Sequence, residues 1–544
     1  MLAFSFYFAL RYSYRQSLPT EEFAYACDPF GYLRMAKEIR HGFAHGVWPE
    51  FKLESTQTRL LINFMKQENL AVSRWEEVVA PHGHHYFPVS GYVGVQYPPG
   101  TGLVLSMFPQ GEAVYRLNRI VVFVFGLIGI AVLAVAVWKR AWVSIGLAIL
   151  ALNLGLLVLA RISTSTFSIN AVMPPILLTC LFSLVALRLK VAGRDKLALA
   201  SSLVAGLSLG LAVLIRLPSF LLLPGFFILL WPGFDRLRTK ALPVALVAGV
   251  VVIGIIPVLI NQEDVAGAWY LPTYASVDAA PPTFETLINN LHYFLLSGPA
   301  TVDNWALLFA LLGFCGFLIL YSKSDSEAVL NRLGLSGKRL ALTALLLWLV
   351  PICYFLTHAV TGAHYMIPAV LATITLGGLG ALGMEITRAS RIRFDKRQIL
   401  SWVALALILS PGLAIFSRVW FLESQPNQRV RANTHPPILL PAELVDEKAW
   451  IWADLLTGSL WYYANKPAFK IQFTDEETRS MLFRFVFDRG ERQYIVQDSE
   501  AIKKYMDEIT QLGGKLEMRG KIDGQPYFLI VWPNNGPASA QVKR

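Results

Sequence analysis

Apolar runs about as long as a bilayer is thick recur along this 544-residue chain, and they leave it few ways to fold. They fall at 118–138, 141–160, 167–187, 197–215, 219–231, 241–260, 305–321, 340–356, 365–384 and 399–417. Hydrocarbon offers the backbone nothing to hydrogen-bond with, so each is expected to cross as a helix, which satisfies its own N–H and C=O groups. Residues 1–10 add a run of about ten apolar residues, half a bilayer's thickness, readable as an eleventh span cut short at its start or as a cleaved signal peptide, which would need a basic leading segment that is not present. Composition agrees. The chain is 55% hydrophobic and 16% charged, whereas a water-soluble domain carries roughly 25% charged residues. A mean hydropathy of +0.48 excludes an ordinary soluble domain, a disordered chain and a collagen. Of four cysteines, Cys180, Cys315 and Cys353 lie within apolar runs, so neither a disulfide framework nor a metal-ligand spacing can be drawn.

Orientation follows from the short connections, because lysine and arginine are retained on the cytoplasmic side. Alternate connections hold Lys139 and Arg140; Arg188, Lys190, Arg194 and Lys196; Arg236, Arg238 and Lys240; Lys323, Arg332, Lys338 and Arg339; and Arg388, Arg391, Arg393, Lys396 and Arg397. The intervening ones hold Arg161, Arg216 or no base. The net charge of +11 is thus largely a topology signal, and no nucleic-acid partner is expected. Residues 11–117, 261–303 and the tail after 417 then face outward. Connections longer than about 15 residues are uncommon unless functional or disordered, and 11–117 is rich in Trp, Tyr, His and Pro, as folded structure would be.

Composition after 421 returns to soluble values. Residues 501–512 place Ile502, Tyr505, Met506 and Ile509 on one helical face ahead of Gly513. Residues 515–522, then Asp523-Gly524, then 527–532 predict a hairpin, and 449–452 and 494–497 predict further strands. The expected division is a transmembrane domain over 1–421, including the folded loop 11–117, and an α/β domain over 422–544. No dinucleotide or phosphate-loop glycine pattern and no internal repeat occur, so the symmetry of many transporters is not evident.

Asp28 precedes a short helix. There a carboxylate can cap free backbone N–H groups or take a proton from an acceptor hydroxyl, and the two roles are compatible. His82-Gly-His84-His85 has the imidazoles of a metal site but no fitting acid or cysteine nearby; a turn with partly exposed histidines is expected, and no metal. In the loop 261–303, the amphipathic stretch 284–296 is expected to lie on the membrane or to cover a site.

Several segments, taken in order, resemble a known superfamily. Asp28-Pro-Phe-Gly-Tyr32-Leu33-x-Met-Ala36 opens the first outward loop and Tyr97-Pro98-Pro99-Gly100-Thr101-Gly102 ends it. Gly206-Leu-Ser-Leu-Gly210 leads to Arg216-Leu-Pro218, His364-Tyr365-Met-Ile-Pro368-Ala369 opens a late helix, and Gly458-Ser-Leu-Trp-Tyr462-Tyr463-Ala-Asn-Lys-Pro467 lies in the tail. Their order and their outward faces are similar to those of the GT-C superfamily of integral-membrane glycosyltransferases, in its bacterial protein-mannosyltransferase-like and aminoarabinose-transferase-like branch. The resemblance implies a mainly α polytopic membrane helix bundle of about eleven spans with a small extracytoplasmic α/β C-terminal domain. It also implies transfer of a sugar from a polyprenyl-phosphate carrier to an acceptor hydroxyl at the outer face of a bacterial cytoplasmic membrane.

In that scheme Asp28 is the general base of an inverting displacement, with Glu21, Glu22, Glu263 and Asp264 as lesser helpers. Arg216, at a span's end, binds the carrier phosphate or snorkels to the interface. Arg34 and His364 are further phosphate candidates, Arg34 being equally readable as a solvated helix residue. Tyr32, Tyr97 and Tyr365 line a sugar site or form an aromatic belt. Two departures stand out. His364 occupies a position where the family often has arginine, and 161–175, where many members carry a second acid, has none, only Asn170. The lipid-linked sugar is substrate rather than cofactor, and a divalent metal has no two-carboxylate set to support it. The acceptor is open among lipid, glycan and protein. The rival classes are a transporter or flippase and a catalytically degenerate scaffold.

Overall fold

The computed structural model describes residues 27–111, 167–231, 241–273, 283–296, 334–358, 363–366, 368–369, 372–373, 376 and 438–537. The chain divides into two compact units. One comprises Met1–Leu18, Tyr115–Val258 and Ser276–Arg431; the other comprises Pro19–Val114, Leu259–Ala275 and Ala432–Arg544.

Among the described residues of the first unit, the apolar runs are helical. Among the described residues, four are long and apolar enough to cross a membrane: Ser168–Val191, Asp195–Ile215, Ala241–Ala266, whose last turns pass into the second unit, and Arg339–Leu356. They match the expected spans at 167–187, 197–215, 241–260 and 340–356. The run at 219–231 differs. It divides into a 3-10 turn, Leu217–Leu222, and a short helix, Leu223–Leu230, because Pro218 and Pro224 each sit at a helical start and cannot donate to a preceding turn. The expected spans at 118–138, 141–160, 305–321 and 399–417, and most of 365–384, lie outside the described residues.

Small residues let two of these helices touch backbone to backbone. A Cβ at Gly206 would run into the Leu246 carbonyl, and one at Gly249 would meet the Leu207 nitrogen at 2.5 Å. Gly210 and Gly254 repeat the contact further along, beside a single wide turn at Val251–Ile255. Lipid tails are as apolar as leucine, so packing of this kind, together with the Ser202 hydroxyl bond to the Leu242 carbonyl at 2.6 Å, holds the pair.

The second unit is mixed α/β. Helix α1, Cys27–His45, opens it. Strands β1 (Lys52–Leu53), β2 (His84–Phe87) and β3 (Tyr92–Val95) form an antiparallel sheet in the order β1-β3-β2. Strands β4 (Ala449–Trp452), β5 (Arg492–Val496), β6 (Lys515–Ile522) and β7 (Gln525–Val531) form a second, in the order β4-β5-β7-β6. β4 and β5 run parallel; β6 and β7 are the hairpin expected from Asp523-Gly524, whose φ of 50° and 79° suit the tight turn that matches strand twist. The helix Glu500–Gln511 buries Ile502 and Ile509. The core under the second sheet gathers Leu444, Ile451, Leu456, Leu460, Tyr494 and Val496.

Within this unit, segments far apart in sequence are joined directly. The Gln57 amide donates to the carbonyls of Glu447 and Ala449 at 2.9 and 3.0 Å, and the Lys470 nitrogen donates to the Val78 carbonyl at 3.2 Å. The rings of Phe64 and Phe485 stack at 4.3 Å. Residues 259–275 join through the Ser90 hydroxyl, which donates to the Val265 carbonyl at 2.9 Å.

Candidate active site

The start of α1 carries Asp28 in its first turn, and the Tyr97 hydroxyl donates to Asp28 Oδ1 at 2.6 Å. Glycine makes this possible. A Cβ at Gly31 would sit 2.6 Å from the Tyr97 ring, so only a bare backbone lets that ring lie along the helix. The Tyr32 ring lies 4.5 Å from it. Immediately after Tyr97, a short helix, Gly100–Ser106, packs on α1; a Cβ at Gly102 would strike the Cβ of Met35 at 2.5 Å. Arg40 locks the pair by donating to the carbonyls of Leu105 and Phe108 at 3.1 and 3.0 Å. The Tyr97-to-Gly102 segment therefore does two jobs, presenting a phenol to Asp28 and closing against the helix that carries it.

Behind Asp28 the helix is fixed by the tail. Phe30 is fully buried, a Cβ at Gly458 would lie 2.6 Å from its ring, and the His84 ring lies 4.8 Å from it. Burial, reinforced by the Arg34 charge, drives the His84 imidazole well below its ordinary pKa, so it is neutral. Arg34 forms an ion pair with Glu38 at 3.4 Å, and burial lowers its own pKa. With its side chain 16% exposed, Arg34 is a partly buried helix residue rather than a solvated one.

The three histidines go to different partners. His82 Nε2 lies 2.9 Å from Asp454 Oδ1, His85 Nδ1 lies 3.2 Å from Glu77 Oε1, and His84 packs on Phe30. Among the described residues, no group of three or more His, Cys, Asp or Glu is disposed to hold a metal ion. Glu21 and Glu22 lie outside the described residues. Asp264 faces Lys52 at 3.5 Å.

Residues that sequence reasoning missed lie here too. Lys470, 2% exposed, contacts Glu77 Oε2 at 3.0 Å. Burial raises the Glu77 carboxyl, but the hydrogen bond from His85 and the charge of Lys470 outweigh it and hold it down at about 2. Asp498 accepts from the backbone nitrogens of Asp454 and Leu456, at 3.1 and 2.6 Å, yet burial pushes it up to about 6. Lys470 is 393 positions from Glu77, and Asp498 lies 44 and 42 positions from Asp454 and Leu456, so no local signal marks these contacts.

The two carboxyls give opposite pH dependences. Glu77 has its folded pKa depressed from 4.5, so its stabilisation is complete above pH 4.5 and is lost as pH falls toward 2. Asp498 has its folded pKa raised from 3.8, so its contribution is present below 3.8 and is lost as pH rises through about 6. Thermal unfolding followed against pH should lose its acid limb in Glu77→Gln and its upper limb in Asp498→Asn. Profiles that match wild type in both variants would contradict this account.

Arg216, Tyr365 and His364 belong to the first unit, Asp28, Tyr32, Arg34 and Tyr97 to the second. Arg216 ends the helix Asp195–Ile215 in an extended conformation, with φ −148°. Its guanidinium lies 4.8 Å from the centre of the Tyr365 ring and donates to the Ser168 hydroxyl at 3.3 Å. His364 sits beside Tyr365 in the turn Ala363–Met366. Asn170 is buried near the start of the helix Phe167–Val191.

No family model matches the chain, and no curated protein matches it. Solved structures do. ArnT from Cupriavidus metallidurans in the apo state is 13% identical with a TM-score of 0.49, covering 96% of this chain and 97% of that one. ArnT from the same organism bound to undecaprenyl phosphate is 15% identical, with a TM-score of 0.45 over 96% and 97%. The archaeal oligosaccharyltransferase AglB from Archaeoglobus fulgidus, in complex with an inhibitory peptide and a dolichol-phosphate, is 11% identical, with a TM-score of 0.43 over 98% of this chain and 75% of that one.

Proposed function

We propose that this protein is a membrane glycosyltransferase that moves a sugar from a polyprenyl-phosphate donor to an acceptor hydroxyl at the outer face of a bacterial cytoplasmic membrane. The observation that carries the reading is the Tyr97 hydroxyl bonded to Asp28 at 2.6 Å, because it joins the two motifs that the family resemblance singles out at the ends of one outward loop. A carboxylate has two oxygens with two lone pairs each, so accepting from Tyr97 orients Asp28 without exhausting its capacity to take a proton.

In the proposed step the acceptor oxygen attacks the anomeric carbon while its proton passes to Asp28. The bond from that carbon to the phosphate oxygen breaks on the opposite face, its electron pair leaves with the phosphate monoester, and configuration inverts. Arg216 is proposed to hold the carrier phosphate by paired N–H donors. Tyr365 holds the guanidinium by cation–π attraction, 4.8 Å from its ring centre. Tyr32 and Tyr97 are proposed to line the sugar, and Arg34 and His364 remain proposed phosphate contacts, His364 without the permanent charge of an arginine.

Incubating membranes that contain the protein with a panel of polyprenyl-phosphate sugars, followed by mass analysis, should reveal a glycosylated product. Movement of solute without such a product would replace this reading with transport. Arg216→Ala is expected to weaken the lipid donor's KM about thirtyfold, the equivalent of a charged hydrogen bond worth roughly 2 kcal/mol, with Arg216→Lys in between. Both variants matching wild type would remove Arg216 from the phosphate site.

A further inference from the structure

The Arg216–Tyr365 contact is tied to a distant piece of chain by one buried amide. Asn290, 3% exposed, lies on the helix Phe284–Leu291. Its side-chain nitrogen donates toward three carbonyls, those of Phe355 at 3.2 Å, Leu356 at 3.0 Å and His358 at 2.7 Å. All three belong to the end of the helix Gly337–Leu356 and the residues just beyond it. The last carbonyls of any helix have no partner within it. Here they are satisfied by a side chain from another element, and an amide NH2 has only two hydrogens, so the three acceptors share them.

The same helix end carries the ring on which Tyr365 rests. Phe355 lies 5.2 Å from Tyr365 and 6.5 Å from Phe294, and His358 lies 6.2 Å from Tyr365. Phe294 is fully buried in the turn His292–Leu296, which continues directly from the helix of Asn290. Two independent links therefore run from the segment 284–296 to this helix end, one hydrogen-bonded and one aromatic. From there the contact passes through Tyr365 to the guanidinium of Arg216.

We infer that Asn290 is a positioning residue for the anion site, holding the end of the helix Gly337–Leu356 so that Tyr365 stays beneath Arg216. This rests on the assignment of Arg216 to the carrier phosphate. The outward segment 284–296 thereby sets how well Arg216 is oriented, without touching the phosphate itself.

The test is a double-mutant cycle on the full-length protein in nanodiscs, titrated with undecaprenyl phosphate. Asn290→Ala is expected to weaken binding about tenfold, as loss of a group that satisfies buried carbonyls should. In an Arg216→Ala background it should cause no further loss. A purely structural role would weaken binding equally in both backgrounds, and that result would overturn the inference, as would wild-type affinity in Asn290→Ala. Phe294→Leu probes the same link through its aromatic arm and changes core volume modestly. It should weaken binding in the same direction, and again only when Arg216 is present; an unchanged affinity would overturn the inference if Asn290→Ala does not fold. Wild-type protein that binds no undecaprenyl phosphate would bring down the donor assignment and this inference together. A wild type that binds and depends on Arg216, beside an indifferent Asn290→Ala, would bring down the inference alone.

Discussion

Asn in place of Asp28 should leave the protein folded and lower sugar transfer by about 10²- to 10⁴-fold, the range that a positioned general base contributes. Asparagine is the informative replacement because it keeps the shape of the side chain and is as good a partner as aspartate for free N–H groups at a helix start. What it loses is basicity. The capping role and the proton-accepting role, which spacing leaves entangled at this position, are thereby separated. Tyr97→Phe should have a smaller effect, about tenfold, since it removes one oriented hydrogen bond and leaves the carboxylate in place. Product formation measured by mass spectrometry, with thermal unfolding as the control for folding, gives both numbers. Full activity in a folded Asp28→Asn protein would end the assignment.

The largest effect on stability is expected at Lys470. Its ammonium is buried against Glu77, and breaking a buried ion pair from one side costs about 3–5 kcal/mol where nothing else compensates; here Glu77 keeps His85, which places the loss near the lower figure. Lys470→Met should therefore lower the unfolding midpoint of the second unit markedly. Glu77→Gln combined with Lys470→Met should recover part of the loss, because neither buried charge remains. The fluorescence of Trp75, Trp450 and Trp452, all fully buried, reports on this unit. A single Lys470→Met variant as stable as wild type would mean that the pair contributes nothing to the joint between 19–114 and 432–544.

That joint explains why the second unit is only partly legible in the sequence. Its hairpin was foreseeable because Asp523-Gly524 satisfies a local turn geometry, and Ile502 and Ile509 lie on the apolar face that the helical period predicts. By contrast, Glu77 and Lys470 are 393 residues apart, and each carries an unremarkable charge in its own neighbourhood. His82, His84 and His85 are neighbours in sequence, but strand and turn geometry send them to Asp454, Phe30 and Glu77. The run at 219–231 forms a shorter apolar helix, Leu217–Leu230, whose first turns are 3-10 for a local reason: Pro218 and Pro224 each sit at a helical start.

Apolar length, basic connections and turn chemistry are properties of consecutive residues, and they determined the spans at 167–187, 197–215, 241–260 and 340–356, together with the hairpin of the tail. Pairing across long separations is not such a property. Tyr97 reaches Asp28 across 69 positions, and it does so only because Gly31 clears room for its ring and the helix Gly100–Ser106 packs on α1. The same holds for the amide of Asn290 at the end of another helix. Tertiary structure decided these contacts, because each depends on two backbones approaching closely enough for one side chain to satisfy the other, a distance that no run of neighbouring residues encodes.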